Sequence, residues 1–169
     1  NAMSVNLSST GTIRGVTGVT TNVASLSIDS KGLHTITQST FTTGTSGVAA
    51  VTMINVSSIS INYSSLGGLT ATNVDDLTMF YSTVTGLDMA VAATFTNSDR
   101  ARIESSYIGS TLTSGSGISI SGGGMMSIAS STLVAGGSPG SALVLSGTHS
   151  SMTISGTLLS GRSGYGLKY

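Results

Sequence analysis

The sequence predicts an all-β fold, a right-handed parallel β-helix (solenoid) of about seven coils with three short strands in each coil. Three observations predict it. A motif recurs six times, apolar and polar residues alternate around every copy, and the composition disfavours helix. The motif is an aliphatic anchor, Ser or Thr three residues later, a large apolar residue five later and a small one seven later. Its copies begin at Ile36, Ile61, Met79, Ile103, Ile128 and Ile154, with spacings of 25, 18, 24, 25 and 26 residues. Shared columns at so regular a period favour stacked coils over an antiparallel sandwich.

Each column fixes one element of the coil. Two residues before the anchors stand His34, Ile59, Leu77, Ala101, Met126 and Met152, and five after them stand Phe41, Leu66, Val84, Ile108, Leu133 and Leu159. These columns are expected to point inward. A further alternating pair lies eight and ten residues before each anchor: Leu26/Ile28, Val51/Met53, Leu69/Ala71, Ala93/Phe95 and Ile118/Ile120, slipping by one to Leu143/Leu145 in the last copy. Period-two alternation over runs this short, broken by Gly and Ser, marks half-buried strands. Abundant Thr, Ser, Val, Ile and Gly lowers helix propensity further.

Repeats therefore occupy residues 26–169 as a single domain. Residues 3–25 do not fit the columns. Val5, Leu7, Ile13, Val16 and Val19 are expected to form an irregular N-terminal coil or cap. Asn1 and Ala2, ahead of Met3, read as an expression-tag remnant. Loops of variable length fall on one corner, including Thr111 to Gly117 and Gly136 to Ala142.

In these columns the chain resembles the pectate-lyase-like right-handed β-helix superfamily, over roughly residues 26–169. The resemblance implies three parallel strands per coil and a polar ladder in the turn between the second and third. Here that ladder is Ser39, Ser64, Ser82, Ser106, Ser131 and Thr157, and each inward hydroxyl is expected to donate to one neighbour and accept from the other. Segments such as Ser130 to Gly137 and Ser155 to Gly161 are also similar, in composition, to repeats of filamentous haemagglutinin-type secreted adhesins.

Composition narrows the partners. Only 7% of residues are charged and the formal net charge is zero, so no basic footprint for nucleic acid or an anionic membrane is present. The apolar runs are a few residues long, far short of a membrane span. With no cysteine, thiol chemistry and Cys-based zinc sites are excluded, and the chain suits export through an oxidising space.

The candidate chemistry gathers at one corner. The columns place Asp75 beside Asp99 and Asp76 beside Arg100, with Arg102 and Glu104 flanking them. Paired carboxylates can work on a glycosidic bond or hold calcium, and the superfamily resemblance implies such a site on a polysaccharide. The preferred reading is plainer: an exposed, charge-compensated turn worth ~0 to 1 kcal/mol. Tyr63 and Tyr81, two residues after successive anchors, are expected to stack outside the turn, covering it or contacting a sugar. His34 and His149 lack ligand partners at metal spacing and read as structural. Gly122-Gly123-Gly124 opens no helix and reads as a corner rather than a phosphate loop. Asn6, Asn55 and Asn62 begin Asn-x-Ser sequons, relevant only in a eukaryotic secreted protein.

The expected function is non-enzymatic: a rigid structural or binding segment of a secreted or cell-surface protein, bacterial or phage, such as an adhesin passenger or a stalk. The alternative is a carbohydrate-active or glycan-binding β-helix built on Asp75, Asp76, Asp99 and Arg100. Leu167 and Tyr169 fall on positions that open another coil. The solenoid is accordingly expected to continue beyond Tyr169, or to be covered there by another copy in a homo-oligomer.

Overall fold

The chain was analysed as a computed structural model, which describes residues 6–7 and 9–169. Its elements repeat in triplets. The first coil carries β1 (Asn6–Leu7), β2 (Gly11–Arg14) and β3 (Thr17–Thr20); the second β4 (Leu26–Asp29), β5 (Leu33–Thr37) and β6 (Thr40–Thr43). The third carries β7 (Val51–Ile54), β8 (Ser58–Asn62) and β9 (Ser65–Leu66); the fourth β10 (Leu69–Thr72), β11 (Asp76–Phe80) and β12 (Thr83–Gly86). In the last three coils the first two strands run together through a bend. These are β13 (Val91–Glu104) with β14 (Tyr107–Ser110), β15 (Ser116–Ala129) with β16 (Thr132–Val134), and β17 (Ser141–Ser155) with β18 (Leu158–Ser160). The last strand is β19 (Tyr165–Lys168).

Every pairing is parallel and joins a strand to its counterpart one coil away. The third strands form a seven-stranded sheet, β3-β6-β9-β12-β14-β16-β18, and the first and second strands share a twelve-stranded one. Seven rungs therefore enclose about six turns of a right-handed parallel β-solenoid. No helix occurs among the described residues.

Register follows the sequence columns. Met79 pairs with Ile61 on one side and Ile103 on the other, and Ile128 pairs with Ile103 and Ile154. A one-residue slip would turn every apolar side chain outward, so burial of one face enforces this alignment. Ile36, Ile61, Met79, Ile103 and Ile128 are fully buried, as are Val84, Ile108 and Leu133 on the third strands. Ile154 and Leu159, in the last motif-bearing coil, are partly buried against them.

Two irregularities in the sequence have structural causes. The 18-residue third-to-fourth interval arises because β9 reaches β10 through Gly67-Gly68 alone. Gly68 takes φ +107°, and a Cβ there would run into Met89 Sδ. The slip at Leu143/Leu145 is a β-bulge: Ser121 faces Ser146 and Gly123 faces His149, so β17 carries one extra residue.

The N-terminal segment is more regular than its sequence suggests. Ile13 pairs with Ile36, Asn6 with Ser27 and Thr17 with Thr40, so β1, β2 and β3 form a coil in register with the rest. Its motif is disguised because Val16 stands at the ladder position and Gly18 at the large apolar one. The Phe41 ring fills the space beside Gly18, where a Cβ would come within 2.7 Å of it. Val5, Asn1 and Ala2 lie outside the described residues.

Central coils should tolerate cavities least, because the rungs above and below hold the walls apart. Ile103→Ala is expected to cost about 2 to 5 kcal/mol. Thr111→Ala, at the exposed corner, removes an exposed methyl and the hydroxyl that bonds Gly86 O (3.2 Å) and the Asp88 amide (2.9 Å), and should cost about 1 kcal/mol. Chemical denaturation of the two variants checks the difference; equal losses would contradict the assigned interior.

Candidate functional site

Three places on this scaffold carry groups other than a generic hydroxyl surface. The first is the ladder corner between the second and third strands. The residue two after each anchor takes a left-handed backbone: Gln38, Tyr63, Tyr81, Ser105 and Ser130 have φ between 48° and 50°, and Gly15 and Gly156 occupy the same column at 65° and 55°. That left-handed residue aims the next one inward, which is the ladder residue. Ser39, Ser64, Ser82, Ser106 and Ser131 are all buried.

The ladder is wired differently from the expectation that hydroxyls bond one another. Each hydroxyl donates within its own coil to the carbonyl two residues back, at 2.7–3.0 Å from Ser39 through Thr157. It then accepts the backbone N–H of the ladder residue one coil earlier. Ser39 donates to Ser64 Oγ, Ser64 to Ser82, Ser82 to Ser106 and Ser106 to Ser131, each at 3.2 Å, and Ser131 to Thr157 Oγ1 at 3.4 Å. Val16 N–H donates to Ser39 Oγ in the same way, at 3.2 Å. The corner turns away from its neighbours' carbonyls, and the side chain supplies the acceptor that the buried amide needs. Ser106→Ala should therefore strand the Ser82 amide and cost about 1 to 3 kcal/mol. Thermal unfolding of Ser106→Ala beside Ser106→Thr checks this, since threonine keeps the acceptor.

The second place is the charged corner. Arg100 lies beside Asp76 in register and donates to its Oδ2 at 3.0 Å. The two side chains are 59% and 36% exposed, so solvent screening leaves the pair ~0 to 1 kcal/mol of stabilisation. Asp75 and Asp99 sit on the adjoining turn: the Asp99 amide donates to Val74 O and the Arg100 amide to Asp75 O, at 3.1 and 3.0 Å. Both carboxylates are exposed. Arg102 donates to Glu104 on its own strand at 2.7 Å and lies over the Phe80 ring, 5.2 Å from its centroid.

Half of the chain's formally charged side chains thus lie on two neighbouring rungs. An open depression of about 430 Å³ adjoins them, walled by Asp76, Arg100, Arg102, Met125, Ser151 and Thr153. Among the described residues no three His, Asp or Glu side chains converge as a cation cage. A calcium ion at Asp75 and Asp99 would need most of its six to eight oxygen ligands from elsewhere.

The third place is the tyrosine pair. Tyr63 and Tyr81 stack with centroids 5.2 Å apart and planes within 5°, and they are 62% and 57% exposed. Both occupy the left-handed column, which costs a bulky L-residue roughly 1–2 kcal/mol. One stacked pair contributes about 0.5–1.5 kcal/mol beyond its buried area. Stacking therefore does not offset two such backbone costs. Beside the rings lies a second depression, about 520 Å³, lined by Gln38, Thr40, Ser65, Thr83 and the tyrosines.

The sequence columns did not disclose one further feature. Asn55, Asn73 and Asn97, six residues before successive anchors, share left-handed backbones at φ 51–55° in the turn between first and second strands. Asn73 Nδ2 donates to Asn55 Oδ1 at 3.2 Å, and Asn55 Nδ2 to Asp29 Oδ1 at 3.4 Å. Their fixed offset was visible in the sequence. Asn tolerates this conformation better than most residues, which makes the column structural.

His34 is buried in the inward column between Gly11 and Ile59. Desolvation pushes its pKa below the usual 6.5, against the backbone of Ser30, which raises it by accepting from the ring. Its Nε2 lies 2.9 Å from Ser30 Oγ, while Nδ1 is buried without a partner. A folded pKa below the unfolded value makes the folded state favour neutral imidazole. Stability is then fully present above pH ~6.5 and falls as pH drops through the folded pKa. His34→Leu should flatten that acid-side loss, measured as unfolding midpoints from pH 7.5 to 5. A slope unchanged by the substitution would contradict it.

Compared with protein-family models, curated proteins and solved structures, the chain matches none. Its site is therefore read from its own geometry.

Proposed function

We propose that this chain is a non-enzymatic structural and binding segment of a secreted or cell-surface protein, of the kind found in adhesin passengers and virion stalks. The carrying observation is the uninterrupted ladder, which ties every coil from Val16 to Thr157 to the next by a backbone-to-side-chain bond, buried in the four central steps and part-buried at the two ends. Such a stack is a rod of fixed rise, about 4.8 Å per coil, that presents side chains at regular intervals. A chain without cysteine and with a hydroxyl-rich surface suits export through an oxidising space. The three-strand coil with a polar corner also supports kinship with the pectate-lyase-like superfamily.

One observation favours a second reading, a carbohydrate-active β-helix: the depression beside Asp76 and Arg100, with Asp75 and Asp99 on the adjoining turn. Incubation with neutral and acidic polysaccharides, with and without calcium, separates the two by release of reducing ends. The structural reading predicts none above the blank. Release that disappears in Asp75→Asn/Asp99→Asn or in Asp76→Asn would replace it with the enzymatic one.

A further inference from the structure

The tyrosine pair occupies backbone positions that a glycine or asparagine would fill with less strain, and it spends that strain on rings that face solvent. The rings lie on consecutive coils and stack face to face, so the outer face of Tyr63 looks along the solenoid axis toward the coil of Gln38. Gln38 occupies the same column and could have covered that face. Instead its Oε1 accepts a bond from Arg14 Nε at 3.1 Å, one coil further on. That bond engages the amide oxygen and leaves the Nε2 group as a donor at the edge of the depression.

What remains is a flat aromatic floor edged by short hydroxyls and one amide. Thr40, Ser65 and Thr83 stand on the third strands beside it, and no charged side chain lines the depression. A flat π-face bounded by neutral donors and acceptors matches one chemistry well: the axial C–H face of a pyranose, whose equatorial hydroxyls reach the rim. The nearest cation, Arg14, stands outside the lining and is engaged by the Gln38 amide oxygen, so no cation in the depression itself would pair with an acidic sugar. We propose that the outer face of Tyr63, supported by Tyr81 and edged by Gln38, Thr40 and Ser65, binds a neutral, equatorially substituted pyranose within a β-linked glycan.

The inference deepens the binding-segment reading and rests on it. The two fail differently: enzymatic release of reducing ends unseats that reading, whereas failure of Tyr63-dependent binding unseats only the sugar site.

The test uses the full chain, with cellohexaose as the neutral probe and an oligogalacturonate of equal length as the acidic one. Binding is followed by calorimetry and by the tyrosine emission of a chain that has five tyrosines and no tryptophan. Cellohexaose should bind and the oligogalacturonate should not. Tyr63→Asn should weaken binding about tenfold or more, while its unfolding midpoint stays level or rises because asparagine accepts the left-handed backbone. Gln38→Leu, which leaves the floor intact, should weaken binding severalfold with no change in the midpoint. Tyr165→Asn, at a distant exposed tyrosine, should bind as the parent does. Absence of cellohexaose binding, preference for the acidic probe, or binding untouched by Tyr63→Asn would each overturn the proposal.

Discussion

The fold depends on one buried hydrogen bond repeated from coil to coil: a backbone amide donating to the ladder hydroxyl of the next rung. A parallel stack needs every rung in the same register, since a slip by one residue exposes its whole apolar face. Hydrophobic burial favours that register without locating the corner. The left-handed residue and the serine after it locate it, because the inward hydroxyl can satisfy the buried amide only when the corners superpose. Loop length can then vary on the third corner, as it does between the Gly67-Gly68 link and the longer segments that follow β14 and β16, without disturbing the aligned columns.

Much of this was legible in the sequence because the interior is built from columns, and columns survive as spacing. The anchors, the third-strand apolar column and the ladder positions could all be located by offset, and the ion pair of Asp76 with Arg100 followed from the same alignment. The first coil was not legible. Val16 and Gly18 replace the serine and the large apolar residue, and only the three-dimensional packing of Phe41 beside Gly18 shows why the coil still closes. The wiring of the ladder was also out of reach, since residue type says that a hydroxyl is present but not which backbone group it faces. The asparagine column is hidden for a different reason: its offset is regular, but its residues are exposed and carry no apolar signature.

Chemistry enters where the repeat is interrupted by residues that the fold does not require. The charged side chains between Asp75 and Glu104 concentrate on two rungs of a surface otherwise made of hydroxyls, and their ion pairs are too exposed to stabilise the stack appreciably. The tyrosines make the stronger departure. A coil corner needs a left-handed residue, and Ser105, Ser130 and Gly156 fulfil that role with little bulk. Two stacked rings in that position add an exposed aromatic surface to a scaffold that forms without them.

Site-resolved amide hydrogen exchange tests the central claim most directly, because it reads the ladder amides themselves. The amides of Ser64, Ser82 and Ser106 should be among the slowest in the chain, exchanging only when the stack opens as a unit. Exchange at those three as fast as at Thr113 and Ser114, in the exposed turn after β14, would contradict the ladder as the element that holds the coils in register.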